Sequence, residues 1–264
     1  MGLRIATNTA AQMVQKNLKQ TNKSSGDSLE RLSSGKRINK SADDAAGLAI
    51  AKKMEAQTKG LRQASRNASD GISMIQTAEG AMNETGNILI RLRELSVQAA
   101  SDTIGDTERG FLDKEYQQLV KEVDRIAEST FFSGTALLNG SAPEMDIQVG
   151  TFGGEDGRIQ YDPSATNATA DNLNISGLSV ASKDDARSSM ENVDGAITNI
   201  SAQRANLGAI QSRLQSTISN LDIQAVNQDA SRSVINDADV EQESSKPAAA
   251  NVAKHDGIAS LAQV

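Results

Sequence analysis

Apolar side chains recur along this chain at the spacing of packed helices. After Ser41-Ala42-Asp43-Asp44, which reads as a helix start with acids in its first turn, every seventh residue is apolar: Met54, Leu61, Ala68, Ile75, Met82 and Leu89. Three residues on, the companion series Gln57, Ala64, Gly71, Ala78, Thr85 and Leu92 is small or weakly polar, so the stripe predicts a bundle seam and not a leucine zipper. Gly47, Gly60, Gly71, Gly80 and Gly86 each cost such a helix roughly 1 kcal/mol against Ala, and close helix approach is one reason to keep them. A further helix is predicted by the 4-3-4-3 spacing of Leu112, Tyr116, Leu119, Val123 and Ile126. Another follows Val193, Ile197, Ile200, Leu207, Leu214, Ile218 and Leu221, with Arg204 and Gln211 at core positions, where they either fix register or snorkel to the surface.

Between these helices the pattern changes. Ile147-Gln148-Val149, Arg158-Ile159-Gln160-Tyr161 and Leu178-Ser179-Val180 read as short strands, separated by turn signals at Asn139-Gly140, Gly153-Gly154, Pro163 and Gly177. Residues 131–182 are therefore expected to form hairpins at the far end of the bundle, joining an outgoing helix to a returning one. A helix over residues 43–100 would span about 87 Å. A compact globule of this length is only roughly 47 Å across. Either the helix breaks at its glycines or the molecule is a rod. The two ends are thinner: residues 1–35 carry a seam of Ala11, Val14, Leu18, Thr21, Ser25, Ser28 and Leu32, and the last segment offers Val240, Val252, Ile258 and Leu261. Each is marginal as an isolated helix, so both are expected to gain order by packing on each other or on neighbouring copies.

Composition narrows the chemistry. Of 264 residues none is Cys or Trp, and one is His. That excludes a disulfide framework, a thiolate nucleophile and cysteine-bound zinc, and leaves His255 alone for any histidine-based proton transfer, so an enzyme is not expected. All six aromatics fall between Phe111 and Tyr161, and Pro143 is the first proline, so the 110 residues before Phe111 are free of both helix-hostile Pro and bulky rings. A formal charge of −7 argues against a nucleic-acid partner. No apolar run is long enough for a membrane helix, and Met1-Gly2-Leu3-Arg4-Ile5-Ala6 resembles neither a secretory signal nor a myristoylation site; a cytoplasmic chain is expected unless a dedicated apparatus exports it. No cofactor or metal is expected. Asp237 and Asp239 lack the loop and bidentate Glu of a calcium site.

Several blocks carry a resemblance. Glu30-Arg31-Leu32-Ser33-Ser34-Gly35-Lys36-Arg37-Ile38-Asn39, followed by Asp43-Asp44-Ala45-Ala46-Gly47-Leu48-Ala49-Ile50, resembles the N-terminal signature of bacterial flagellin, as do Ala64-Ser65-Arg66-Asn67, Asp70-Gly71-Ile72-Ser73 and Gln76-Thr77-Ala78-Glu79-Gly80-Ala81. Gln203-Arg204-Ala205-Asn206-Leu207-Gly208-Ala209 resembles the C-terminal one. The resemblance implies a mainly α fold: a long antiparallel coiled-coil or helical-bundle rod with a small β-hairpin region at one end. It implies residues 1–44 and 229–264 as the two halves of an inner coiled-coil domain lining a filament lumen. Residues 45–130 and 183–228 become the helices of an outer-tube domain, with 131–182 its hairpin region and no further outer domains. It further implies a secreted subunit, exported unfolded by the flagellar type III apparatus, that polymerises with its own copies for motility. An export chaperone, a cap and hook-associated proteins would be its partners, with neither nucleic acid nor membrane among them. The end departs from the family: Pro247 interrupts a stretch expected to be continuous helix, His255-Asp256 replaces usual Gln and Ala, and the chain stops at Val264.

The same resemblance places Arg91, Leu95 and Glu115 where flagellins contact the vertebrate flagellin-sensing Toll-like receptor; the alternative is a subunit-packing surface. Leu18, Leu32, Leu61, Ile75, Leu89, Leu207, Leu214 and Ile218 are expected to form the assembly seam. His255 is expected to be solvated. Two other readings stand beside the filament subunit: a hook–filament junction protein of the same superfamily, and a hydrolase or protease within residues 131–182. That segment has no His and no metal-ligand cluster, which disfavours the enzyme.

Overall fold

The structure is a computed structural model that describes residues 8–262. The segment Met1–Ala6 and the chain end at Val264 lie outside the described residues. The chain divides into two compact units, one made of residues 1–59 and 224–264 and the other of residues 60–223.

In the first unit, α1 (Thr9–Ser34) starts at Asn8, whose side chain accepts the Ala11 N–H, and stops at Gly35, which adopts the left-handed conformation (φ 68°) that Gly enters without a Cβ penalty. The residues after Gly35 pair with the break between α4 (Lys183–Asn236) and α5 (Val240–Ala262). Arg37 N–H donates to Asn236 O at 2.7 Å, Ala238 N–H donates to Gly35 O at 3.0 Å, and the Arg37 guanidinium caps Ile235 O at 2.6 Å. This clamp sets α1 and α5 antiparallel, and they pack along each other with Leu18 seated over Gly257. Asp239 is a helix cap: its carboxylate accepts the N–H groups of Glu241 and Gln242. The expected interruption at Pro247 does not occur. α5 continues through it, and the chain breaks upstream instead, at residues 237–239. Because Pro247 lies inside a helix already held against α1, its effect is confined to the one hydrogen bond that it cannot give to the Glu243 carbonyl.

α2 (Ala45–Ala99) begins where Asp44 accepts the Gly47 N–H and Asp43 accepts those of Asn39 and Lys40, and it stays unbroken for 55 residues despite its glycines. In the second unit, Ala64, Ala68, Ile75, Ala78, Met82, Leu89 and Leu92 of the predicted stripe are all buried. α4 runs antiparallel to α2, tied by Ser65–Asp222, Arg204–Glu79 and Arg93–Asp194. α3 (Asp106–Ser129) returns along α2 from the other side, burying Tyr116, Val120, Val123 and Ala127. Arg204 is half-buried and reaches Glu79 across the helix pair, while its neighbour Gln203 is the more deeply buried of the two and donates to Asn167 O and Asn199 Oδ1.

The strand region departs from expectation in three ways. A tight hairpin, β1 (Phe131–Phe132) and β2 (Thr135–Ala136), was not marked by the strand pattern; Ser133 and Gly134 turn it with φ of 49° and 84°. The second hairpin, β3 (Met145–Gln148) with β4 (Arg158–Tyr161), lies along α2, and β3 begins two residues before the expected Ile147-Gln148-Val149. Its Ile147 packs where Gly71 has no Cβ (2.7 Å from an added one), Thr151 meets Gly60, and Asn67 bonds Gln148 O. Those two glycines admit a strand region, whereas Gly80 and Gly86 have open space. Finally, Leu178-Ser179-Val180 is not a strand: α3 satisfies its backbone with side chains, Asp113 accepting the Val180 N–H and Gln117 donating to Leu178 O.

Arg109 closes the α2–α3 turn. Only 7% exposed, it donates through Nε to Ala99 O (2.8 Å), through Nη2 to Ser101 O (3.0 Å) and through Nη1 to Asp106 (2.7 Å), filling carbonyls that the end of α2 leaves without helical partners. Arg109→Met should lower unfolding free energy by about 2 to 3 kcal/mol. Arg109→Lys, which lacks the planar fork, should recover only part of it, both read by urea titration of the circular dichroism signal.

Candidate interaction surfaces

The structure brings Arg91 and Glu115 together and separates Leu95 from them. Arg91 donates through Nε and Nη2 to Glu115 Oε1 (3.0 and 2.8 Å) and through Nη1 to Glu94 (3.0 Å), with all three side chains about half-exposed. The Glu115 bond and then the Glu94 bond raise the Arg91 pKa further, so the group is cationic at any working pH. Leu95 is fully buried in the core and offers this surface nothing in the folded chain. The apolar groups that are exposed here are Ile90 (51%), Val97 (49%) and Phe111 (63%). Ile90 and Val97 stand seven apart on one face of α2. Phe111 stands one turn before Glu115 on α3, with Lys114 Nζ 5.7 Å from its ring centre. Their signal was present in the sequence, since Ile90 and Val97 are apolar yet out of phase with both heptad series.

The seam residues divide. Leu61, Ile75, Leu89, Leu207 and Leu214 are buried within the chain itself, so they form its own core and are not available to a second copy. Ile218 is half-buried, Leu18 packs on Gly257, and Leu32 remains exposed. Other apolar side chains of the first unit are far more open: Met13, Val226, Val234 and Val252 are between 65% and 82% exposed. His255 is exposed, as expected.

Where α1 and α5 meet, one carboxylate is buried. Glu243 is 4% exposed, lies against the buried Ser28, and its Oε1 takes Lys246 Nζ at 2.7 Å and Arg31 Nη1 at 3.7 Å. The Lys246 bond, ahead of the smaller effects of Ser28 and Arg31, outweighs burial and holds the Glu243 carboxyl below the usual carboxylate range. The first unit thus combines a thin α1–α5 seam, a buried carboxylate and several exposed apolar side chains.

Comparison with known proteins places this architecture. The description of the bacterial flagellin N-terminal helical region matches residues 5–142, and that of the bacterial flagellin C-terminal helical region matches residues 190–264. The chain belongs to the bacterial flagellin family. A flagellin of Halalkalibacterium halodurans is 41% identical over 89% of this chain and 86% of its own length. The crystal structure of Bacillus cereus flagellin is similar with a TM-score of 0.52 at 31% identity, over 63% of this chain and 94% of that one. A Vibrio parahaemolyticus structure titled as a flagellar hook-associated protein shares the fold alone: its TM-score is 0.60 over 73% of this chain and 99% of that one, at 12% identity.

A concavity of about 560 Å³ lies between β4 and α4. Within this flagellin fold its polar groups are already engaged: Arg158 pairs with Asp146, and Asp162 accepts both the N–H and the hydroxyl of Ser164. Those bonds hold the Asp162 carboxyl below the usual carboxylate range.

The Glu243 contact gives a pH test. A carboxyl whose pKa is lower folded than unfolded contributes stability above the unfolded value and loses it as pH falls through the folded one. Protection factors for amide exchange in α1 and α5, taken relative to the intrinsic rate at each pH, should therefore fall on acidification below the ordinary carboxylate range. In Glu243→Gln, exchange should be faster at neutral pH and its acid dependence weaker.

Proposed function

We propose that this chain is the structural subunit of a bacterial flagellar filament and polymerises with its own copies for swimming motility. The observation that carries the reading is the state of the first unit: α1 and α5 pair along each other, yet Met13 of α1 (67% exposed), Val252 of α5 (65%) and Val234 at the end of α4 (82%) stay in water. Self-association removes that surface at roughly 25 cal/mol per Å². Membership of the flagellin family supports the same reading, and the family is structural, not enzymatic. A hook–filament junction role is less well supported, because the hook-associated neighbour shares fold without sequence.

On this reading the first unit is the inner coiled-coil domain and the second the outer-tube domain. The chain leaves the cell unfolded through the type III apparatus and stands in the extracellular filament. An export chaperone, a cap and hook-associated proteins are its transient partners. The Arg91–Glu115 surface with Ile90, Val97 and Phe111 serves first as a packing face between subunits. Contact of stray monomers with the vertebrate flagellin-sensing Toll-like receptor is secondary to that, and equal signalling by Arg91→Ala monomers would remove it.

Purified chain seeded with filament fragments or salted out should give filaments by electron microscopy. Val234→Asp with Val252→Asp should leave monomer unfolding within about 0.5 kcal/mol of the parent, because both positions are exposed, yet suppress filaments. Filaments as abundant as the parent's would overturn the assignment of this face.

A further inference from the structure

The segment between β2 and β3 contains the only Asn-Gly step in the chain, Asn139-Gly140, and its local geometry is specific. Asn139 Oδ1 accepts the Ser141 N–H at 3.0 Å and the Ser141 hydroxyl at 2.7 Å. These bonds close an Asx turn that spans the Gly140 peptide unit. Both donors point at the oxygen that would gain negative charge if Asn139 Cγ were attacked, the arrangement by which fixed N–H and O–H groups stabilise an oxyanion. Gly140 N–H donates no hydrogen bond among the described residues, and Gly140, at φ 66°, has no Cβ to obstruct the approach.

A second turn supplies the contrast. Asn167 Oδ1 accepts the Thr169 N–H and hydroxyl at 3.0 and 2.8 Å in the same pattern. There, however, the following nitrogen belongs to the buried Ala168 and is committed to Leu138 O at 2.8 Å.

The geometry points to Asn139 as a site of spontaneous modification, in which the adjoining backbone deamidates the side chain. The Gly140 nitrogen gives its proton to solvent base and bonds to Asn139 Cγ. The Cγ–Nδ2 bond breaks, and ammonia leaves with a proton taken from water. The product is a cyclic succinimide with no change of oxidation state. Water then opens either ring carbonyl, giving aspartate or, by attack at the original backbone carbonyl, isoaspartate with an extra methylene in the main chain. Either product puts a carboxylate at a packed joint: a Cβ on Gly140 would already stand 2.7 Å from Asn167 Nδ2, and the Ala168–Leu138 bond lies beside it. Ageing of the subunit therefore loosens the link between residues 137–140 and 166–170.

The test is peptide mapping of the purified full chain after incubation in mildly alkaline buffer, in parallel with the chain in denaturant. The expected result is conversion of Asn139 to an aspartate and isoaspartate pair while Asn167 keeps its amide, at a folded-state rate no lower than the denatured one. Ser141→Ala, which removes one oxyanion donor at an exposed position, should slow the folded-state reaction about three- to tenfold and leave the denatured rate close to the parent's. Folded chain that converts much more slowly than denatured chain would overturn the proposal, since the turn would then protect Asn139. So would equal conversion of Asn139 and Asn167, or a Ser141→Ala rate unchanged in the folded state.

Discussion

The second unit depends on one constraint: the apolar stripe of α2 is far longer than α3, the helix that covers its second flank. α4 lies antiparallel along it and supplies Val193, Ile200, Leu207 and Leu214. α3 covers the other flank but has only 24 residues, so the stripe below about Ala78 is left open on that side. The β3–β4 hairpin fills that place, and it fits because Gly71 and Gly60 lack the Cβ that would hold Ile147 and Thr151 away. The small β content is thus a consequence of a length mismatch between two helices, met by the shortest structure that presents an apolar side chain on one face.

The same economy explains the return to α4. Residues 167–182 need partners for their peptide groups but have no strand to pair with. α3 provides them from its polar side: Asp124 accepts the Ala170 N–H, Asp113 accepts the Val180 N–H and the Ser179 hydroxyl, and Gln117 reaches Leu178 O. A helix here acts as a ladder edge through its side chains, satisfying buried backbone groups that would otherwise each cost desolvation energy.

The legibility of the fold in the sequence follows from this. Heptad positions located the core of α2 because helix packing there obeys a fixed period, and the start at Asp43-Asp44 was readable because capping is local chemistry. Leu178-Ser179-Val180 alternates like a strand, yet its partners lie on α3, more than fifty positions away in sequence, so no local pattern could distinguish the two outcomes. Leu95 illustrates the limit for the candidate surface. The family resemblance grouped it with Arg91, but a four-residue step turns the helix by about 40°, enough to carry Leu95 into the core with Leu92 while Arg91 stays outside. Ile90 and Val97 are legible as apolar residues outside the stripe, but a single exposed apolar residue is ordinary on a protein surface and carries no signal by itself.

The first unit poses the opposite problem. Its helices are specified more by polar contacts than by area: Asn8 and Asp239 as caps, the Arg37–Asn236 and Ala238–Gly35 clamp, and the buried Glu243 with Lys246 and Arg31. Buried ion pairs of this kind add little net stability, because desolvation offsets attraction, but a misaligned pair leaves a buried charge without a partner, so they penalise wrong registers. Pro247 fits the same logic, since a missing hydrogen bond at Glu243 O weakens α5 without redirecting it. Register is therefore set within one chain while cohesion is left to what surrounds it. On the proposed reading as a filament subunit that division has a use, since Met13 on α1 and Val252 on α5 stay open to a neighbouring copy while the polar contacts between the two helices fix their register.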